Sequence, residues 1–194
     1  NRYSIFINDE FFIGISEDTL LKINIKNGDI INEEELKNII KTEEESKCLS
    51  VGLNFLSYRM RSEKEVLNKL KEKLFDEDII YQTIEKLRIY GYINDEEFAR
   101  AFIKDKLHKN GPRKITYELS LKGVEKETID KLLKEQLPED VEYEECINIA
   151  RKKFEQYKKR DDNKFKISSK LYSYLIGRGY SLSVIQKVIS ELIN

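Results

Sequence analysis

Cations are the chemistry this chain offers in bulk. Seven basic and two acidic residues lie between Arg100 and Lys122, and nine basic and three acidic between Arg151 and Lys170. Such runs meet either solvent or an anion, whether a phosphate backbone or the carboxylates of a protein partner. The contact candidates are Arg59, Arg61, Arg100, Lys104, Lys109, Arg113, Lys114 and Lys122. Arginine presents a planar fork that takes a carboxylate or phosphate through two hydrogen bonds, whereas lysine presents a single mobile charge. The mixture suits a surface that meets acidic protein loops and DNA phosphates.

Some of these candidates also have a local explanation. Arg59 and Arg61 fall near a predicted helix end, where a cation complements the dipole by ~0.3–1 kcal/mol. Arg100 has Glu96 and Glu97 close by in sequence. Arg113 and Lys114 differ, because they follow Gly111-Pro112 at a helix start, where positive charge opposes the dipole. Something other than that helix's own stability is expected to keep them there.

Other chemistry is sparse. Tyr90, Tyr92 and Phe98 have the character of base-stacking residues, but their place at a helix junction favours packing. Tyr157, Tyr172 and Tyr174 are open to either role. His108 is the only histidine, so a histidine metal cluster is excluded, and Cys48 and Cys146 are far apart in no metal-like pattern. There is no Walker-type glycine loop and no serine–histidine pairing with a supporting carboxylate. No catalytic residue, metal or cofactor is expected, and an enzyme, such as a nuclease, ranks below a binding protein.

The elements that must position these cations are helical. The 194 residues are 40% hydrophobic and 37% charged, with eight glycines and two prolines, a mixture that favours exposed helices over a β-sandwich. The net charge of −1 hides a split, since residues 1–45 carry a balance of −6 and residues 46–194 one of +5. No apolar run approaches the ~20 residues of a membrane span, and no signal peptide is visible. With no disulfide framework, the expected setting is a reducing cytoplasm. The chain opens on Asn1, as a chain trimmed at its start would.

Residues 3–32 read as a small sheet. "YSIFINDEFFIGI" suits a hairpin around Asn8-Asp9-Glu10, and "TLLKINI" and Ile30-Ile31 are further strand candidates. Asn32 then caps a helix with Leu36, Ile39 and Ile40 on one face. This acidic segment, 1–45, is expected to dock or shield rather than catalyse.

From Ser46 the period becomes helical, with Leu49, Leu53, Leu56 and Met60 on one stripe of a helix over 46–60. The chain also repeats itself. Val66, Leu70, Phe75, Ile80 and Ile84 recur as Ile115, Leu119, Val124, Ile129 and Leu133, and again as Leu171, Leu175, Tyr180, Ile185 and Ile189. In each copy two positions one turn apart precede a break at Leu74, Gly123 or Gly179, and a second such pair follows. Asp76 and Ser181 make good caps for the helix after the break, and Glu125 a poorer one. A further helix, at 46–60, 95–109 or 143–159, precedes each copy. The expected fold is mainly α: three tandem three-helix repeats, over 46–93, 94–140 and 141–194, forming an elongated curved array behind the small β-rich segment. One repeat alone has too small a core, so neighbours must stack.

With these residues in hand, the chain resembles the RecX family, bacterial regulators of the RecA recombinase. The matching stretches are "LSYRMRSEKEVLNKL" (56–70), "YGYINDEEFARAFI" (90–103), "GPRKITYELSLKGV" (111–124) and, more weakly, "LIGRGYSLSVIQKVI" (175–189). The resemblance implies helical repeats without catalytic chemistry or cofactor, preceded in some members by an additional N-terminal segment. It implies a partner, RecA and its filament on single-stranded DNA, whose ATPase, strand exchange and co-protease activity are suppressed. A monomer is expected. The alternative is an autonomous DNA-binding helical module, for which near-zero net charge predicts only weak affinity.

Overall fold

The computed structural model describes residues 2–160 and 162–193. The chain divides into two compact units, Asn1–Asn94 and Asp95–Asn194.

The first unit opens on the expected hairpin. Strands β1 (Arg2–Ile7) and β2 (Glu10–Ser16) pair antiparallel across Asn8 and Asp9, both at positive φ, the geometry of a two-residue hairpin turn. Instead of a third strand, Glu17–Ile23 forms helix α1. Ser16 caps it by accepting from the Thr19 amide, and Glu17 and Asp18 favour its first turn. The β-prone "TLLKINI" thus yields to a strong start signal just upstream.

Helix α2 (Glu33–Ser57) begins in a reciprocal capping box between Asn32 and Glu35. It runs unbroken where the sequence suggested two helices, because nothing between 41 and 50 stops it: no proline, no glycine, and Lys41, Glu43, Glu44 and Glu45 are good helix formers. It ends at Ser57, so Met60 falls beyond it and is exposed. The fully buried stripe is Cys48 and Gly52, with Leu49, Leu53 and Leu56 half-buried at its margins. Gly52 lets α2 approach α4, since a Cβ there would stand 3.0 Å from Leu87 Cδ1.

Helices α3 (Glu63–Glu72) and α4 (Glu77–Ile89) complete this bundle around Val66, Leu70, Ile80, Ile84 and Leu87. The second unit holds two more triplets. Helices α5 (Asp95–Lys106), α6 (Pro112–Leu121) and α7 (Lys126–Gln136) enclose Ile103, Ile115, Leu119 and Ile129. Helices α8 (Glu139–Lys158), α9 (Lys164–Arg178) and α10 (Leu182–Ile193) enclose Cys146, Leu171, Leu175, Tyr180 and Ile185. All fifteen recurrent apolar positions enter these cores; Phe75 and Ile189 are half-buried and the rest are buried.

The breaks are built alike. Gly123 and Gly179 have φ of +86° and +83°, and Leu74 takes the same left-handed conformation at +60° although it carries a side chain. Asp76 caps α4, and Glu125 precedes α7 without a side-chain cap bond. Ser181 is held differently: buried Glu142 of α8 accepts from its amide at 2.6 Å and its hydroxyl at 2.9 Å.

Candidate partner-binding surface

Arg59 and Arg61 follow α2 in the first unit. Arg59 Nη2 donates to Glu65 at 2.8 Å, and its Nη1 donates to the Met60 carbonyl at 2.7 Å. Glu65 simultaneously closes the capping box of α3 with Ser62. Arg59 therefore braces the turn between two helices. Arg61 lies 4.1 Å over the Phe55 ring. Burial, and then the like charge of Arg59, lowers its pKa. Both side chains are committed to the fold of this corner.

In the second unit Arg100 bridges Glu96 of α5 at 3.3 Å and Glu135 of α7 at 3.0 Å, and Lys131 adds a 3.0 Å contact to Glu96. This exposed network ties α5 to α7, a modest contribution for surface charges. Lys122 closes α6 with its backbone and holds its ammonium 5.8 Å from the Phe98 and Phe102 rings. Lys104, Lys109 and Arg113 are exposed and Lys114 is half-buried. Among the described residues, no carboxylate forms an ion pair with any of these four.

Arg113 and Lys114 owe their position to a joint between the second and third triplets. The Gly111 amide donates to the Arg178 carbonyl at 2.9 Å, and the Arg113 amide to the Gly179 carbonyl at 3.0 Å. Orphan donors at the start of α6 thus meet orphan acceptors at the end of α9. A Cβ on Gly111 would stand 2.5 Å from Tyr180 Cα, and one on Gly179 would stand 2.4 Å from the Lys114 nitrogen. The negative end of α9 therefore faces the cations that α6's own dipole disfavours, which offsets the misfit read from the sequence. Arg178, not among the sequence candidates, extends the basic cluster; its guanidinium lies 5.2 Å from the Tyr174 ring and reaches the Lys109 carbonyl at 3.5 Å. Its signal was the repeat itself, which sets Val124 against Tyr180 and so pairs Arg178 with the candidate Lys122.

The aromatics divide. Phe98 is buried, as a packing role requires. Tyr90 and Tyr92 do not pack inward: they form an exposed edge-to-face pair, centroids 6.5 Å apart, because the chain leaves α4 through Gly91 at φ +73°. Tyr157 and Tyr174 pack against the third core, while Tyr172 remains exposed. Among the described residues, no group of three His, Cys, Asp or Glu side chains could hold a metal, and no helix is long and apolar enough to cross a membrane.

Comparison with known proteins agrees with this architecture. Family models described as the first, second and third three-helix domains of RecX match residues 48–87, 94–133 and 140–189, and a model of the N-terminal domain of regulatory protein RecX matches 1–32. Proteins named regulatory protein RecX from Clostridium beijerinckii and Clostridioides difficile are each 37% identical, covering 98% and 100% of this chain and 89% and 91% of their own lengths. One from Clostridium botulinum Eklund 17B is 34% identical over 100% of this chain and 91% of its own length. A crystal structure of regulatory protein RecX superposes with a TM-score of 0.81 at 26% identity, covering 97% of this chain and 94% of that one. The structure of RecX from Lactobacillus salivarius gives 0.69 at 28%, covering 77% and 96%. Three helical triplets with recurrent cores, preceded by a β-hairpin and matched along nearly their whole length, place this chain in the RecX family of regulatory proteins.

Proposed function

We propose that the chain regulates the RecA recombinase by binding RecA and its filament on single-stranded DNA, suppressing ATP hydrolysis, strand exchange and co-protease activity. It acts by occupancy rather than turnover, in the cytoplasm and in the setting of recombinational repair. The segments 46–93, 94–140 and 141–194 serve as separate contact modules, whose weak individual affinities combine by avidity on a polymer. The observation that supports this reading best is the set of cations at the α6 start, Lys109, Arg113 and Lys114, with Lys104 on α5, that have no ion-pair partner among the described residues. Arg100 and Lys122 are proposed to shape the surface around them, and Arg59 and Arg61 to offer a separate contact of the first unit.

The test is ATP hydrolysis by preformed RecA–single-stranded DNA filaments. Substoichiometric amounts of the purified chain should slow it. Unchanged hydrolysis at a several-fold molar excess would remove the assignment.

A further inference from the structure

The chain contains two Asn-Gly pairs, Asn27-Gly28 and Asn110-Gly111, and the fold treats them oppositely. In such a pair the backbone nitrogen of the glycine can attack the asparagine side-chain carbonyl, because no Cβ crowds its approach. The attack needs that nitrogen free of a hydrogen bond, and room for the side chain to swing back onto the main chain.

Asn110-Gly111 meets neither condition. Asn110 is buried, and the Gly111 amide donates to the Arg178 carbonyl at 2.9 Å. Gly111 is also pressed against the Tyr180 backbone, and Pro112 follows it. Asn27-Gly28 meets both. It is the central peptide of the turn from Lys26 to Asp29, in the connection between α1 and α2. The Asp29 amide donates to the Lys26 carbonyl at 3.2 Å, and Asp29 Oδ2 accepts from the Lys26 amide at 2.8 Å. These bonds close the turn at its ends and leave its centre untied. Among the described residues, nothing bonds to the Gly28 amide or to the Asn27 side chain. Gly28 has φ +94°, as the third position of a type II turn requires, and a Cβ there would meet nothing within 4 Å. The central peptide of such a turn can rotate without breaking the bond across its ends. Asn27 and Gly28 are both exposed.

We propose that Asn27 is a self-modifying site, converted in the folded protein to aspartate and isoaspartate, while Asn110 is spared. The Gly28 nitrogen bonds to Asn27 Cγ and gives up its proton. The Cγ–Nδ2 bond breaks, and Nδ2 takes that proton and leaves as ammonia. Water then opens the cyclic imide and is the sole co-reactant. Cleavage between the Gly28 nitrogen and Cγ leaves aspartate. Cleavage between that nitrogen and the Asn27 main-chain carbonyl carbon leaves isoaspartate, whose backbone runs through Cβ and Cγ. Either product adds a negative charge to the acidic front segment, and isoaspartate also lengthens the turn ahead of the Asn32 cap.

The test uses no RecA, so its outcome is independent of the function proposed above. The full chain is aged in mildly alkaline buffer, folded or in urea, then digested and mapped by mass spectrometry. Isoaspartate is counted separately by labelling with an isoaspartate methyltransferase. In the folded chain Asn27 should convert about tenfold or more faster than Asn110, which must wait for its joint to open. In urea the two rates should converge, since only local sequence then acts. Gly28→Ala should slow conversion at Asn27 about fivefold or more by crowding the attacking nitrogen, with Asn110 unchanged. Equal rates in the folded chain, faster conversion at Asn110, or an Asn27 that reacts only in urea would each overturn the site. So would a Gly28→Ala protein that ages as fast as the parent, because the side chain would then be hydrolysed without the cyclic step.

Discussion

The amide of Arg113 donates to the carbonyl of Gly179, so one helix begins where another ends. Neither glycine of this joint tolerates a side chain: at Gly111 the added carbon meets Tyr180 backbone, and at Gly179 it meets Lys114 backbone under a φ of +83°. Gly179→Ala and Gly111→Ala should each lower stability by about 2–3 kcal/mol, within the range of strained backbone sites. Urea unfolding followed by circular dichroism measures this. A change below about 0.5 kcal/mol, the scatter of neutral surface positions, would show that the joint is soft.

Charge reversal at the joint separates binding from folding. Arg113→Glu/Lys114→Glu adds acids to a helix start, which α6 favours, while placing them beside the carbonyl end of α9, which it disfavours. The two effects oppose, so the melting temperature should hardly move, while inhibition of RecA ATPase should fall about tenfold, as for loss of charge-assisted contacts. Equal loss of helicity and inhibition would return these residues to a purely architectural role. Arg61→Ala supplies the contrast: it should cost about 1 kcal/mol of stability through the Phe55 contact.

A buried carboxylate makes the first unit acid-sensitive. Glu43 of α2 is almost fully buried, and its Oε2 accepts from the Ser16 amide and the Thr19 hydroxyl at 2.8 Å each. Its Oε1 lies 3.5 Å from Arg2 and 3.4 Å from Lys47. Burial pushes its pKa up, but the Ser16 and Thr19 hydrogen bonds and the Lys47 charge outweigh it, leaving the group below its ordinary 4.5. A depressed folded-state pKa contributes stability that is present above the unfolded value and lost as pH falls through the folded one. The protection of β2 and α1 amides, taken relative to their intrinsic exchange rates, should therefore fall below about pH 4.5. Glu43→Gln should lose about 1–3 kcal/mol at neutral pH and abolish that acid step. An acid step surviving in the variant would assign it elsewhere.

Leu74 is the one break residue of the three copies that is not glycine, and it is 89% exposed at φ +60°. Left-handed backbone costs a side-chain-bearing residue about 1–2 kcal/mol, partly offset by the extra unfolded-state entropy of glycine. Leu74→Gly should therefore raise stability by about 1 kcal/mol without loss of packing. A lower denaturation midpoint would mean that the leucine side chain has a contact role.

The helical repeat was legible because five apolar positions recur at fixed spacing, and period alone decides which faces are buried. Val66, Ile115 and Leu171, read only as equivalent letters, are all fully buried. The hairpin was legible from Asn8-Asp9 between β-prone runs. Helix α1 was not, because the Ser16 cap and following acids outweigh a string of β-tolerant residues that propensity alone leaves ambiguous. The single helix across 41–50 was missed because a change of composition is not a stop signal. At the candidate surface, sequence named Arg113 and Lys114 as misfits to their own helix. It could not supply the compensating partner, since the α9 terminus lies far along the chain. Nor could it separate Arg59, bound to Glu65, from Arg113, which has no such neighbour among the described residues.

The length of α2 has a bearing on how the acidic front piece can be dispensed with. Because that helix belongs to the hairpin module at its beginning and to the first bundle at its close, a cut near residue 45 severs a continuous rod and strips a native start from the bundle. A cut just ahead of Asn32 leaves the rod and its cap whole, yet it uncovers Glu43, whose lids are Ser16 and Thr19. A shortened protein designed at that point is best given a glutamine or leucine-sized replacement there, so that removal of the hairpin is compared on an otherwise intact scaffold.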